Sequence, residues 1–419
     1  MSVGFCAVRC LRHLGTPVNR DSTELPAGDA RWGTTNRENL VLGSSIRETA
    51  PTEGTNVKAA VLNSIPGRLE IEEIDIGEPG PREVLVRTAA AGVCHSDLHF
   101  MEGKYPFPCP AVLGHESAGV VEAVGSMVHY VEPGDHVITC LSAFCGHCSQ
   151  CTDGHLTLCE NKNTELIRRP GESPRLSRND GEVVNQFIHL SSFAEKMLIH
   201  EQALVKIDRD MPLDRAALIG CGVTTGLGAV FRTAKVAPGE TVAVIGCGGI
   251  GLAAIQGARI AGANKIIAVD MVGSKLELAQ QLGATHMVDA AEVDAVATVK
   301  ELTGGGVHHA FEAVGMKQTA EQAFQMLRSG GQATVIGMIP VGTTVEIHGP
   351  ELLSEKTLTG SNMGSNQFRT DMPRYIEMYL DGRLMLDEMI SKTIALEEIN
   401  EGFDEMKAGK VARSVIVFD

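Results

Sequence analysis

Cys145, Cys148, Cys151 and Cys159 are separated by two, two and seven residues, the spacing of a thiolate metal site. With 11 cysteines in 419 residues, a set of four at these offsets arises by chance roughly twice in ten thousand. Disulfides between such near neighbours would be crossed and strained, whereas one tetrahedral ion uses all four sulfurs. Four thiolates close the coordination shell and leave no position for a substrate. A zinc here is therefore expected to be structural, clamping a lobe too loop-rich to hold itself together.

A second group carries different chemistry. The run Cys94-His95-Ser96-Asp97-Leu98-His99 packs a thiol, a hydroxyl, a carboxylate and two imidazoles into six residues. His115 and Glu116 follow Gly114, and Cys221 sits between Gly220 and Gly222. Alone, each of Cys94, His115 and Cys221 reads as a core residue. Together, two cysteines and one histidine on zinc would leave a fourth position for water or substrate.

The third group is Gly246-Cys247-Gly248-Gly249-Ile250-Gly251, after the apolar run Thr241–Ile245. Alone this pattern is weak, because 46 glycines produce look-alikes. Its context is a short buried strand before it, a helical Leu252–Ala261 after it, and a second strand, Lys265–Val269, ending in Asp270. Glycines let the backbone approach a pyrophosphate at a helix N-terminus, and Asp270 can bind both hydroxyls of an adenosine ribose.

These residues need elements to position them. From Lys58 to about Ile138, short alternating or apolar runs separated by Pro-Gly turns predict a β-rich domain. A loop-rich cysteine segment follows over 140–185, and the pattern turns helical near Ala216–Ala234. Six strands are expected near Val242, Ile267, Met287, Phe311, Val335 and Leu358, separated by helical crossovers. That is a complete doubly wound parallel sheet in an α/β chain. The tail is expected to hold two helices and a last strand, Ser414–Val417, that returns to the first domain.

Net charge −16 argues against nucleic acid and anionic membranes as partners. No uninterrupted apolar run approaches the roughly 18 residues of a spanning helix. Cysteines used as thiolates, without a secretory pattern, lead to the expectation of a reducing, cytoplasmic setting.

From about Lys58 to Asp419 the chain resembles the zinc-dependent medium-chain alcohol dehydrogenases, in the long form with catalytic and structural zinc. The resemblance implies a GroES-like catalytic domain over 57–222 and 363–419, with its zinc lobe at 140–160. A Rossmann domain would span 223–362, and the enzyme would be a homodimer or homotetramer. Carried over, Cys94, His115 and Cys221 match the catalytic zinc ligands, and Cys145, Cys148, Cys151 and Cys159 the structural set. Ser96 and His99 match a proton relay, while Asp97 and Glu116 match carboxylates behind the metal. His95 matches a pyrophosphate contact, Asp270 and Lys275 the ribose contacts, and Arg413 an arginine reaching the cofactor phosphate. The glycine turn, Gly246, Gly248, Gly249, Ile250 and Gly251, would hold NAD.

The implied reaction moves a hydride between a primary alcohol/aldehyde pair and NAD, with two zinc ions per chain. A catalytically silent NAD-binding relative is the alternative from another class. The intact ligand trio with Ser96 and His99 speaks for the enzyme. Glutathione-adduct formaldehyde dehydrogenases of this family carry an acid and an arginine where this chain has Tyr105 and Asn163. A glutathione adduct is thereby disfavoured, although another thiol remains open. Leu141 and Met338, at wall positions of the resemblance, leave room for a bulky or aromatic alcohol. Arg168 and Arg169 lie in an irregular loop near the expected mouth and read as a solvated basic loop rather than an anion site.

Residues 1–56 lack apolar periodicity and read as a disordered leader or as sequence upstream of the true start at Val57. A cleaved targeting peptide, suggested by early arginines, is the competing reading.

Overall fold

The computed structural model describes residues 55–409 and 411–418. The N-terminal half contributes β1 (Thr55–Leu62), β2 (Leu69–Ile76), β3 (Glu83–Gly92), β4 (Ala111–Val112), β5 (Ser117–Val124) and β6 (His136–Thr139). It adds β7 (Leu176–Ser177), β8 (Asn185–Gln186), β9 (Lys196–His200) and β10 (Leu204–Lys206). The six strands that follow are β11 (Thr241–Ile245), β12 (Lys265–Asp270), β13 (His286–Asp289), β14 (Val307–Glu312), β15 (Leu327–Val335) and β16 (Thr357–Gly360). Two more, β17 (Lys392–Ile394) and β18 (Ser414–Val417), close the chain.

Strands β7-β2-β1-β4-β8 form one sheet, and β10-β6-β5-β3-β18-β17 form a second, with β9 also paired to β3. Alternation is clear at the end of β2, where Ile74 and Ile76 turn inward while Glu73 and Asp75 face the other way. The third sheet runs β13-β12-β11-β14-β15-β16, all parallel. Helices cover both faces, so β11 and β12 are continuous apolar runs rather than alternating ones. All six expected strands are present. The order reverses between β12 and β14 around β11, and a crevice opens at that switch point.

One expectation needs correction. The strand β1 starts at Thr55, ahead of the expected start at 57: Thr55 pairs with Ile76 and Asn56 with Asp75. The Asn56 amide also donates to Glu73 at 2.9 Å, so β2 supplies a full ladder for these two polar residues. Residues 1–54, for which a leader was expected, lie outside the described residues. One helix is long and apolar enough to cross a membrane, although Asp214, Arg215 and Arg232 interrupt it. Leu213–Ala234 has 22 residues and a mean hydropathy of 1.3, but 83% of its apolar window is buried inside the protein. It is largely apolar because its first turns pack on β3 and β5 and its later turns on the helix Gly249–Ile260.

That helix runs across position 222/223, so the β-rich region and the parallel sheet share one continuous element. It contains two π-helical turns, and the first, Ile219–Val223, holds Cys221. Such bulges re-aim side chains within a helix. The tail returns as expected, with β18 antiparallel to β3 through Val415↔Gly92 and Ile416↔Ala91. This pairing sets Arg413 beside Val93 and Cys94.

Candidate active site and metal centres

Cys94 caps the short helix His95–Met101 directly after β3, His115 precedes β5, and Cys221 comes from the π turn. Their ligand atoms lie within 4.8 Å of one another, and all three residues are buried. The His115 ring is aimed by Asp97, whose Oδ1 accepts from Nδ1 at 3.0 Å and from the Gly114 N–H at 3.2 Å. The other ring nitrogen, Nε2, is buried without a hydrogen-bond partner among the described residues. An orphaned acceptor beside two thiols fits a soft-to-borderline cation.

The electrostatics favour ligation. A hydrogen bond from Cys221, together with Arg413 and His115, holds the Cys94 thiol well below its ordinary range. The same shared proton, with burial, raises Cys221. Glu116 is pushed up to about 8 by complete burial, with Arg413 pulling the other way. Arg413 donates to Glu116 Oε2 at 2.8 Å and to the Val93 carbonyl at 3.1 Å. Ser96 Oγ lies 3.7 Å from Cys94 Sγ. His99 stands further along the same helix, its Nδ1 buried without a partner among the described residues and its ring parallel to Tyr105. Among the described residues no hydrogen bond joins Ser96 to His99.

A cleft of about 370 Å³ continues from Cys94 along the glycine turn. Its lining includes His95, Gly246, Gly248, Gly249, Ile250, Asp270, Lys275 and Arg413. Gly251 has another job: a Cβ there would meet the Gly246 carbonyl at 1.8 Å, so glycine lets the helix start close against β11. Gly249 makes room for Arg413, whose Nε would lie 2.4 Å from an added Cβ. The Asp270 carboxylate faces the cleft and also accepts from the backbone N–H groups of Cys247, Met271 and Val272 at 2.7–3.0 Å. It braces the glycine turn as well, a role that spacing did not reveal.

The four-cysteine lobe closes as its spacing predicts. Its ligand atoms lie within 4.8 Å of one another. Cys145 and Cys151 sulfurs are 3.9 Å apart, far beyond a disulfide and close to the ~3.8 Å edge of a tetrahedron with 2.3 Å zinc–sulfur bonds. Backbone N–H groups support the thiolates, Cys145 donating to Cys159 and Cys148 to Cys145. Donors from Glu160 and Cys151 bring Cys148 down to about 6.

Arg168 departs from the solvated reading of the basic loop, whereas Arg169 to Ser173 are exposed as expected. Arg168 binds Glu83 Oε2 at 2.6 Å and the carbonyls of Glu78, Ser173 and Pro174. Arg175 binds the same buried Glu83 at 2.7 Å. The clamp was invisible because Glu83 lies 85 residues upstream of Arg168. Tyr105 and Asn163 are also engaged, Tyr105 with the Ile339 carbonyl and Asn163 with His189 at 3.0 Å.

Residues 80–209 match the alcohol dehydrogenase GroES-like domain family, and residues 249–380 match the zinc-binding dehydrogenase family. An S-(hydroxymethyl)glutathione dehydrogenase of Synechocystis sp. is 39% identical over 365 residues, 86% of this chain and 99% of its own. Benzyl alcohol dehydrogenase from Acinetobacter calcoaceticus superposes with a TM-score of 0.81 at 35% identity, covering 87% of this chain and 100% of its own. A dehydrogenase from Sinorhizobium meliloti bound to NADP gives 0.70 at 29% identity, covering 87% and 100%. Fold and site together define a zinc-binding oxidoreductase that uses a nicotinamide dinucleotide. The chain belongs to the zinc-dependent medium-chain alcohol dehydrogenases, whose substrates are small alcohols and aldehydes.

Proposed function

We propose that this chain oxidises primary, bulky or aromatic alcohols to aldehydes, and reduces the aldehydes, with NAD and a zinc held by Cys94, His115 and Cys221. The observation that carries the reading is a single cleft lined both by Cys94 and by the glycine turn with Asp270. A hydride must pass directly between the substrate carbon and the nicotinamide, so ligand cysteine and dinucleotide site must share one cavity. Zinc, when bound, supplies Lewis acidity that makes an alcohol hydroxyl far more acidic.

The chain's own residues do the rest. Asp97 fixes the His115 tautomer so that Nε2 faces the metal position. Ser96, beside Cys94, is placed to take the hydroxyl proton, and half-exposed His99 to pass it toward solvent. Arg413 offers a positive group to the pyrophosphate and His95 an imidazole N–H, burial and the nearby Arg413 favouring the neutral ring. Asp270 would repel a 2′-phosphate, and Met271-Val272-Gly273 offers no arginine to receive one, which supports NAD over NADP. The NADP-bound relative makes this preference worth testing directly.

An aromatic substrate is supported by the benzyl alcohol dehydrogenase relative and by Leu141 and Met338. A thiol adduct of formaldehyde is a second reading, favoured by the glutathione-adduct relative. Against it, Tyr105 and Asn163 present no charge for a glutathione carboxylate and are bound within the protein. The deciding experiment is a panel of aliphatic and aromatic alcohols, with formaldehyde plus glutathione, assayed with NAD and NADP at pH 7 and pH 9. Highest kcat/KM for an aromatic alcohol with NAD is expected. Turnover confined to the glutathione adduct, or none in protein carrying two zinc ions, would overturn the proposal.

A further inference from the structure

The segment from Ser361 to Gln367 joins β16 to the helix Phe368–Leu380. Within it Met363, Gly364 and Ser365 are all left-handed, with φ of 51°, 69° and 50°. Two of the three are not glycine, and such conformations persist only where the surroundings hold them.

Those surroundings come from three directions. The cysteine lobe offers the carbonyls of Thr157 and Gly154, which accept from the side-chain amides of Asn362 at 3.2 Å and Gln367 at 3.1 Å. Asn366, buried, donates to the Met363 carbonyl at 2.8 Å and to Ser142 Oγ at 3.0 Å. Against the helix Leu213–Ala234, Gly364 lies so close that a Cβ on Gly228 would fall 2.4 Å from its carbonyl oxygen. The product of this bracing is the placement of Met363. Its sulfur sits 3.9 Å from Cys221 Sγ and accepts from the Thr225 hydroxyl at 3.4 Å. Thr157 and Gly154 lie between Cys151 and Cys159, so their carbonyls stand where they do only when the lobe is folded.

We infer that the Asn362–Gln367 turn is a positioning element through which the four-cysteine lobe sets the placement of Cys221. The lobe thus acts on Cys221, 62 residues beyond Cys159, as well as stabilising its own loops. Met363 limits the rotamers open to Cys221, and the hydrogen bonds from Asn362 and Gln367 keep Met363 in its strained position. This rests on the reading of Cys94, His115 and Cys221 as a metal site.

The test uses full-length enzyme with zinc in the lobe and cobalt at the trio, verified by metal analysis. Three proteins are compared: wild type, the double variant Asn362→Ala/Gln367→Ala, and Gly228→Ala. Asn362 is exposed and Gln367 half-exposed, so the double variant is expected to fold. Gly228→Ala pushes on the turn from the opposite side. Both should keep the lobe zinc, shift the thiolate–cobalt absorption bands, and lose cobalt to a chelator about tenfold faster, the lower scale for disturbing a ligand's support. Bands and loss rates equal to wild type would overturn the inference, as would release of the lobe zinc with the bands unchanged. A wild-type protein without thiolate–cobalt bands would remove the metal-site reading and the inference with it. Normal wild-type bands with indifferent variants would remove the inference alone.

Discussion

Replacing Asp97 separates charge from hydrogen bonding at the trio. Both bonds that Asp97 accepts, from His115 Nδ1 and from the Gly114 N–H, fall on the same oxygen, Oδ1. The second oxygen is buried and has no partner among the described residues. Asparagine can therefore keep its carbonyl at the Oδ1 position and hold the imidazole and the Gly114 turn, exchanging one buried charged oxygen for a neutral amide group. Alanine loses both contacts and leaves two buried donors unpaired, which costs about 1–3 kcal/mol for each. Support of a ligand histidine is worth roughly 10–100-fold in metal affinity. Asp97→Asn should sit near the lower end, with unfolding free energy little changed. Asp97→Ala should sit near the upper end and be destabilised by about 2–6 kcal/mol. The assay is competition with a chromogenic chelator, counting the weaker-bound zinc, alongside urea unfolding. Equal losses for the two variants would show that charge, not the bond to His115, does the positioning, and the reasoning would fail.

Glu83→Gln should cost about 3–5 kcal/mol in urea unfolding, since it leaves buried Arg175 and nearly buried Arg168 without a counter-charge; a change below about 1 kcal/mol would refute the clamp. Burial lowers His189 and His200 to about 4 from an ordinary value near 6.5. The folded state therefore prefers them neutral, and their contribution is complete above pH 6.5 and lost as pH falls toward 4. The loss is about 3 kcal/mol per histidine, and His189→Gln should visibly flatten the stability profile between pH 6.5 and 4. Asp270→Ser should erode the preference for NAD and raise its KM, because three backbone N–H groups lose their acceptor; unchanged cofactor selectivity would count against the ribose role. Ser96→Ala should keep both zinc ions and lower kcat by roughly a hundredfold, and near-normal turnover at pH 7 would take the hydroxyl out of the proton path.

What could be read from the sequence was local. The cysteine lobe was legible because its four ligands fall within 15 residues, so spacing alone limits what they can share. The six parallel strands were legible because burial on both faces turns each into an apolar run bounded by helical periodicity. Asp270 stood out by its distance from the glycine turn, yet its bonds to Cys247, Met271 and Val272 did not. The fate of Arg168 was misread, since nothing near it in sequence announces Glu83.

Convergence over long separations belonged to the tertiary structure. Cys94, His115 and Cys221 meet because β3, β5 and a π turn in a buried helix end at one place. Arg413 reaches Glu116 because β18 pairs antiparallel with β3, and it fits only where Gly222 and Gly249 carry no side chain. The contact of Met363 with Cys221 depends on a left-handed turn that no propensity would predict. Local spacing restricts local geometry through a few dihedral angles, so chemistry within one loop or one strand–helix unit is written in order along the chain. Contacts across 100 residues or more depend on how whole sheets and helices pack, and only the folded core determines which side chains face one another there.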